Sequence, residues 1–322
     1  MSASEILNSA RDARSRIADR IRLTPLEYSS HLSLRHNASV FLKLENLQVT
    51  GSFKIRGAMA KLSLLPKDVQ RGIVTASSGN HGAAVACAVA QFGGSAVVFV
   101  PNNASQIKCD AIRGYGAQVQ RHGEDGLFTE LHARQFALEQ DRIYISPYND
   151  ADVIAGQGTI GLEILEALPD VDAVFVTVGG GGLIAGIAGV LKSLRPNVRV
   201  IACQPSNDAA MMHSIRAGQI LEIEPQATIS DGSAGGIEPG SITFEPCQTL
   251  VDEWIEVSES EIMIAMRDFI ESQHQLLEGA AGVALAAFAK VAGAYKRQRV
   301  AIVICGAKIG LDTLQDVFEV KS

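Results

Sequence analysis

Short apolar runs recur along the chain, separated by longer stretches in which apolar residues follow helical spacing. The short runs predict buried strands, and they are Val40–Leu44, Ile73–Ala76, Ala96–Val100, Ala117–Arg121, Ile143–Ile145, Ala173–Val178, Val198–Cys203 and Val300–Ile304. Helical spacing predicts an opening helix through Ala10, Ala13, Ile17 and Ile21, a helix after the loop at Thr50, and the helices Ala83–Gln91, Ser105–Tyr115, Gly126–Glu139, Ile154–Leu168, Leu183–Leu194, Glu259–His274 and Gly282–Val291.

This alternation of strands and helices is typical of βαβ units and therefore predicts an α/β fold with parallel sheets. Ligands of such sheets lie beyond the carboxyl ends of the strands, where the glycine-rich loops of this chain fall. We find no internal repeat and no Pro/Ser-rich linker. The domains are therefore expected to be interleaved along the chain.

The composition fits a globular protein of about two domains. Hydrophobic residues make up 47% of the 322 positions and charged residues 20%, which excludes wholesale disorder. The net charge of −7 provides no basic field that would attract nucleic acid, so we expect no nucleic-acid partner.

The cysteines and the uncharged stretches indicate the cellular compartment in which we expect the protein to work. The five cysteines are scattered and odd in number, which favours reduced thiols in a cytoplasmic protein. The charged N-terminus is not typical of a secretory signal. Two uncharged stretches, Gly82–Ile107 and Ala173–Leu191, are each interrupted by glycines, so we expect no membrane span.

Three loops carry candidate chemistry, and the first contains Lys54. It lies in Ser52–Gly57, between Phe53 and Ile55, where a helix begins. A partly desolvated lysine has a lowered pKa and can act as a Schiff-base nucleophile. On the loop alone, a surface lysine whose stem covers Phe53 is the alternative.

The second loop is Ser77–Gly82, which joins a strand to a helix. The helix N-terminus directs backbone N–H groups and its positive dipole end at the loop, which suits a carboxylate. An ordinary helix cap is the alternative. His81 is more simply a packed or capping residue than a metal ligand, since no partner lies at a metal-site spacing nearby.

The third loop, Gly179–Gly182, has four consecutive glycines between a buried strand and a helix. Such a loop can surround a phosphate with N–H groups alone. It contains a dinucleotide-like GxGxxA pattern, but the next strand ends at Gln204, where dinucleotide sites have an acidic residue. The loop therefore favours a single phosphate group.

These loops and Ala155–Thr159, in this order, resemble the motifs of fold-type II pyridoxal 5'-phosphate (PLP) enzymes, most closely the branch of serine/threonine dehydratases and serine racemases. The resemblance extends from about Ile21 to Gly310. It implies a fold similar to the tryptophan synthase β subunit, with two open, parallel-rich sheets and helices on both faces. Residues 1–71 and 149–322 would form a large PLP-binding domain and 72–148 a small inserted domain, in a homodimer.

The resemblance also implies the site residues. Those assigned to PLP are Phe53, Lys54, Asn80, Gly179, Gly180, Gly181, Gly182 and Cys305. Those assigned to the substrate carboxylate are Ser77, Ser78, Gly79 and His81. Lys54 would bind PLP and move the α-proton, Phe53 would pack near the ring, Asn80 would hydrogen-bond the 3-hydroxyl, and the glycines would hold the phosphate. Ser78 would lie on the ring face opposite Lys54.

Cys305 would lie beside the pyridine nitrogen, although a buried small hydrophobe is a compatible interpretation. A neutral thiol does not hold this nitrogen protonated, which weakens the electron sink and favours prompt loss of a β-leaving group. The expected activity is therefore an ammonia-lyase (dehydratase) that removes water and then ammonia from a β-hydroxy amino acid, either serine- or threonine-like or bulkier, to give a 2-oxo acid. The alternative is an amino acid racemase that uses Lys54 and Ser78 on opposite ring faces.

Several positions depart from the pattern of this branch. Gln204 and Ala210 replace acidic ligands of a divalent-cation site, and neutral ligands do not offset cation dehydration well, so we expect no metal. The sequence leaves open the roles of Tyr148, Glu238, Glu278 and Lys308. A nucleotide-binding regulator would explain the glycines but leave Lys54 unused, and a cysteine synthase-like β-replacement is disfavoured by the loop patterns.

Overall fold

The structure is a computed structural model that describes residues 1–65, 68–124, 126–224 and 226–320. Its helices are Ala3–Ile17 (α1), Ser30–His36 (α2), Lys54–Leu62 (α3), Asn80–Gln91 (α4), Gln106–Arg113 (α5), Gly126–Glu139 (α6), Ala151–Ala167 (α7), Gly182–Leu194 (α8), Ala210–Ala217 (α9), Phe244–Leu250 (α10), Glu259–Gln273 (α11), Gly279–Val291 (α12) and Leu311–Glu319 (α13). Its strands are Leu26–Tyr28 (β1), Ser39–Lys43 (β2), Ile73–Ala76 (β3), Ala96–Val100 (β4), Gln118–Arg121 (β5), Ile143–Tyr144 (β6), Ala173–Thr177 (β7), Arg199–Pro205 (β8), Glu253–Val257 (β9) and Arg299–Val303 (β10).

The larger sheet has six strands in the order β1-β2-β10-β7-β8-β9. Its pairs are parallel except β1 with β2, which is antiparallel. Val300 of β10 pairs with Val40 of β2 on one side and with Ala173 of β7 on the other. The central strands β7 and β10 are almost wholly buried, as expected for parallel strands covered on both faces.

The smaller sheet has four strands in the order β5-β4-β3-β6, and all its pairs are parallel. Its strands come from residues 73–144, whereas the flanking parts of the chain supply the larger sheet. The helices α4, α5 and α6 connect its strands. The predicted α/β class with two parallel-rich sheets is confirmed.

The predicted elements agree with the observed ones except at several ends. Helix α1 ends at Ile17 and does not reach Ile21, and α4 begins at Asn80 rather than at Ala83. Six elements were not predicted from the sequence, namely α2, α9, α10, α13, β1 and β9. Strand β9 is amphipathic, with Ile255 and Val257 buried between more exposed residues, and so lacks the continuous apolar run that marked the others. Within the described ranges, no helix is long and apolar enough to cross a bilayer.

Helices α3 and α7 approach each other closely, which fixes the start of α3 and therefore Lys54. A Cβ added at Gly156 of α7 would lie 2.4 Å from the backbone oxygen of Arg56 in α3. A Cβ added at Gly57 of α3 would lie 2.7 Å from the Val153 side chain. Both positions therefore need glycine because the two backbones are nearly in contact.

A buried cluster of charged side chains lies at the same contact. The Arg56 guanidinium donates hydrogen bonds to Glu45 (2.8 Å) and to Glu163 of α7 (2.6 Å), and Lys43 also contacts Glu163. Arg56 and Glu45 are 0% exposed, so each charge depends on its partners rather than on water. The cluster joins β2, α3 and α7, and its Arg56 is two residues from Lys54.

Candidate active site

The carboxyl ends of strands from both sheets lead into one cavity. The loop after β3 supplies Asn80, the loop after β7 supplies Gly179–Gly182, and the segment after β10 supplies Cys305. The residues that line the cavity are Phe53, Lys54, Asn80, Tyr148, Thr177, Val178, Gly179, Gly180, Gly181, Gly182, Leu183, Ile184, Gly232, Ser233, Glu278, Ala280 and Cys305. All eight residues that the sequence analysis assigned to PLP are therefore brought together.

Lys54 is the first residue of α3, and its ammonium donates a hydrogen bond to the backbone oxygen of Pro147 (3.1 Å). Burial lowers the pKa of Lys54 to about 8, although Cys305 and Glu278 oppose this shift. With this pKa about one tenth of the amine is neutral at pH 7, far more than for an ordinary lysine. The cavity therefore holds a nucleophilic amine.

We expect the rate at which the apoenzyme binds PLP covalently to rise about tenfold between pH 6 and 7 and to level off above about pH 8. The reason is that only the deprotonated Lys54 amine reacts, and its pKa is about 8. The rate is measured by the change in PLP absorbance after mixing. Nα-acetyl-lysine, mixed with PLP at each pH, corrects for the ionisation of PLP itself. A rate that kept rising to pH 10 would contradict the lowered pKa.

The loop Ser77–Gly82 positions Asn80 at the start of α4. The Asn80 side-chain nitrogen donates a hydrogen bond to Glu278 Oε2 (2.7 Å). Its oxygen, Oδ1, is buried and has no hydrogen-bond partner within the described part of the chain. A buried unpaired amide oxygen carries a desolvation cost unless a donor meets it. The 3-hydroxyl of PLP is a group of the right kind.

The residues assigned to the substrate carboxylate lie on the same loop, beside the cavity rather than in its lining. Ser77, Ser78 and Gly79 are half-buried, and the Gly79 N–H donates a hydrogen bond to Ser77 Oγ (3.2 Å). His81 Nε2 lies 3.1 Å from the backbone oxygen of Ile145. Burial and the nearby Lys54 lower the pKa of His81 to about 3, so the ring is neutral and donates this bond.

The glycine loop lines the cavity with backbone and has no room for side chains. A Cβ added at Gly180 would lie 2.4 Å from the Tyr148 ring, and one at Gly179 would lie 2.7 Å from the Ser233 backbone oxygen. Gly181 has a φ of +86° at the N-terminus of α8. The backbone N–H groups and the helix dipole at this end favour an anion.

Cys305 and Glu278 lie next to each other in the cavity wall. Cys305 Sγ lies 3.8 Å from Glu278 Oε1, and burial raises the pKa of the Cys305 thiol well above its usual value, so the thiol is neutral. Burial also raises the pKa of Glu278 to about 7, while the hydrogen bond from Asn80 opposes this shift. The sequence analysis left the role of Glu278 open because its partners come from distant parts of the chain.

The cavity has a counterpart for each functional group of PLP. The amine of Lys54 matches the aldehyde, the unpaired Asn80 oxygen matches the 3-hydroxyl, the glycine loop matches the phosphate, and neutral Cys305 matches an unprotonated pyridine nitrogen. The residues present therefore fit the cofactor.

A family model described as "Pyridoxal-phosphate dependent enzyme" matches residues 17–306. The chain belongs to this family. Membership confirms the predicted fold-type II architecture and the predicted PLP cofactor. It also shows that the nucleotide-binding alternative is wrong, because a PLP enzyme accounts for Lys54 as well as for the glycine loop.

Relatives within the PLP family identify the branch. The L-threonine ammonia-lyase of Thermotoga maritima is 40% identical over 314 residues, which cover 97% of this chain and 77% of that protein. The catabolic L-threonine dehydratase of Escherichia coli K12 is 40% identical over 309 residues, which cover 95% of this chain and 94% of that protein.

Solved structures agree with this assignment. The processed threonine deaminase isoform 2 of Solanum lycopersicum has a TM-score of 0.95 and 33% identity, covering 100% of this chain and 95% of that chain. Maize serine racemase has a TM-score of 0.91 and 32% identity, covering 97% of this chain and 96% of that one. The predicted branch and the predicted PLP-dependent ammonia-lyase activity are confirmed, and the racemase alternative has less support.

Gln204 occupies a buried position between the glycine loop and α9. Its side-chain nitrogen donates to the Val178 backbone oxygen (3.1 Å), and its oxygen accepts from the Met212 N–H (2.8 Å). The nitrogen and the oxygen of this neutral amide therefore both form hydrogen bonds that hold the two segments together. Among the described residues, no group of three or more His, Cys, Asp or Glu side chains is placed to hold a metal ion. Independence from divalent cations stays a prediction.

Proposed function

We propose that this enzyme removes water and then ammonia from L-threonine and L-serine, giving the corresponding 2-oxo acids. The observation that carries the proposal is a lysine of lowered pKa that shares one cavity with a glycine phosphate loop and a neutral thiol. The names of the 40% identical relatives support threonine as a substrate.

We assign the residues to the roles that the sequence predicted. Lys54 would hold PLP covalently, Phe53 would pack beside its ring, Asn80 would accept a hydrogen bond from its 3-hydroxyl, Cys305 would lie at its nitrogen, and Gly179–Gly182 would bind its phosphate. The loop with Ser77, Ser78, Gly79 and His81 binds the substrate carboxylate at the N-terminus of α4, where the helix dipole favours an anion.

When bound, PLP supplies an electron sink that stabilises negative charge at the substrate Cα. The neutral Lys54 amine takes the proton from that Cα, because its pKa of about 8 makes it a competent base near neutral pH. Cys305 stays neutral and therefore leaves the sink weak, which favours departure of the β-hydroxyl over return of the proton. Ser78, on the face opposite Lys54, would supply the proton in the racemase alternative.

We also propose the organisation of the molecule. Residues 72–148 form a small domain inserted into a large one made of 1–71 and 149–322, and the small sheet formed within 72–148 supports this division. We propose a cytoplasmic homodimer. All five cysteines are free and buried, which suits a reducing compartment.

The test is the release of ammonia and 2-oxo acid by purified protein with added PLP. The panel is L-serine, L-threonine, D-threonine, threo-3-hydroxyaspartate and phenylserine, with the remaining amino acid examined for inversion. We expect turnover of L-threonine and L-serine, and little of phenylserine. Activity confined to the bulkier substrates would overturn the substrate assignment. Inversion without ammonia would establish the racemase, and Ser78→Ala should then abolish it.

A further inference from the structure

Two ion pairs tie one loop of the larger sheet to helices of the smaller sheet. We call this loop, Asp231–Glu238, the strap. At its first residue, Asp231 Oδ2 lies 2.7 Å from Lys108 Nζ of α5. At its last residue, Glu238 Oε1 lies 2.6 Å from Arg134 Nη2 of α6. Both ends of the strap are therefore held by cations from the side of the cleft that carries the substrate loop.

The ion pair at Glu238 is more buried than the ion pair at Asp231. The Asp231 side chain is 57% exposed, and the Glu238 side chain is 23% exposed. Exposed ion pairs contribute little because water screens them, whereas partly buried networks contribute more. Arg134 is further oriented by a hydrogen bond to Glu130 (2.8 Å) and lies 4.4 Å over the centre of the Tyr144 ring.

The second oxygen of Glu238 is also used. It accepts a hydrogen bond from the Asn149 side chain (2.7 Å), and Asn149 in turn accepts one from the Ile242 N–H (3.0 Å). One carboxylate thus joins α6, the strap and the segment before α7. Because each oxygen has its own donor, the carboxylate and the backbone of Glu238 are held in one position.

The backbone of Glu238 is linked to the wall of the cofactor cavity through Tyr148. Its N–H donates a hydrogen bond to the Tyr148 hydroxyl (2.9 Å). The ring of Tyr148 occupies the space where a side chain at Gly180 would lie, and its Cα and Cβ lie where a side chain at Gly182 would begin. Within the strap, Gly232 and Ser233 line the cavity themselves. A continuous series of contacts therefore runs from α6 through Glu238 and Tyr148 to the phosphate loop.

We propose that Glu238 is a positioning residue of this enzyme. It locks the strap to α6 across the cleft, and its backbone N–H holds Tyr148 against the glycine loop. Glu238 does not line the cavity, so we expect its loss to weaken the binding of substrate and cofactor and to leave the chemical step nearly intact. The substrate part of this inference rests on the proposed function, whereas the cofactor part does not.

The test compares Glu238→Gln and Arg134→Met with the wild-type holoenzyme. Glu238→Gln keeps the size of the side chain and removes its charge, and Arg134→Met keeps an apolar stem over Tyr144. We expect each variant to raise KM for threonine and the rate of PLP release on dilution by on the order of tenfold, with kcat within about twofold. The double variant should be no worse than the single ones, because both remove the same bond. Tyr148→Phe should reproduce the faster PLP release.

The control is Glu166→Gln, which breaks a guanidinium–carboxylate pair with Arg14 on the surface, between α1 and α7. We expect it to change none of these quantities. Unchanged KM and unchanged PLP release in both Glu238→Gln and Arg134→Met would overturn the proposal. A loss of kcat at constant KM would also overturn it, since Glu238 would then act in the chemistry.

Two further outcomes are informative. If the Glu238 variants do not fold, normal PLP release by Tyr148→Phe would overturn the proposed route through Tyr148. If the wild-type enzyme releases no ammonia from threonine or serine, the proposed function fails, and the rates of PLP release still decide the role of Glu238.

Discussion

Replacing Lys54 by alanine is expected to lower kcat/KM for the amino acid substrate by a factor of at least about 10³–10⁴, close to complete inactivation. We propose two roles for the amine, covalent attachment of PLP and transfer of the Cα proton, and general base catalysis alone contributes about 10²–10⁴. Burial in the cavity sets the pKa of this amine to about 8. A base added to the solution would not be held at the same place, so we do not expect it to restore activity. Ammonia release and the absorbance of bound PLP measure the two roles separately.

Lys54→Arg is the matched variant, because it keeps a positive charge at the start of α3 but has no nucleophilic amine. We expect both variants to fold, to bind PLP without a covalent bond and to lose it on dialysis. PLP that survives reduction with borohydride and denaturation on the Lys54→Ala protein would show that another residue carries the cofactor. The assignment of Lys54 would then be wrong.

Replacing Arg56 by methionine is expected to lower the free energy of unfolding by about 3–5 kcal/mol, the cost of leaving a buried ion pair without its partner. The Glu45 carboxylate is 0% exposed, and removal of the guanidinium takes away its hydrogen bonds from Arg56. The Glu163 carboxylate loses its hydrogen bond to α3. Both carboxylates must then stay charged in an apolar interior or take up a proton. Urea unfolding of the two apoproteins, followed by far-ultraviolet circular dichroism, measures the change.

Arg14→Met provides the control, since it removes the same functional group from a partly exposed pair with Glu166. Exposed pairs contribute about 0–1 kcal/mol, so we expect a loss in that range. Equal losses for the two arginine variants would contradict the special role of the buried cluster. Because Arg56 is two residues from Lys54 in α3, we also expect the Arg56→Met protein to bind PLP more weakly than wild type.

Local patterns predicted the central strands and most of the helices. Ile73–Ala76 and Ala96–Val100 were predicted with their observed ends, because central strands of a parallel sheet are buried on both faces and read as continuous apolar runs. Strands β1 and β9 were missed because they lie at the two edges of the larger sheet, where pairing with one neighbour stabilises them and no apolar run is needed.

At the active site, local sequence patterns also failed to predict where α4 begins. The helix includes Asn80, His81 and Gly82, although glycine and asparagine have low helix propensity. A Cβ at Gly82 would lie 2.1 Å from the Ser77 backbone oxygen, so the tight turn before the helix requires this glycine. Tertiary packing thus outweighs local propensity here.

The sequence by itself predicted the α/β class, the family and the PLP cofactor, and it proposed Lys54 and the glycine loop as the residues that bind PLP, since each motif consists of residues that are neighbours along the chain. Only the tertiary structure decided the environment of Glu278, the bracing by Gln204 and the link from Arg134 through Glu238 to Tyr148. Asn80 and Glu278 are 198 positions apart, and Arg134 and Glu238 are 104 apart. Burial and hydrogen bonding set the charge and position of these groups, and both arise only when distant segments pack together.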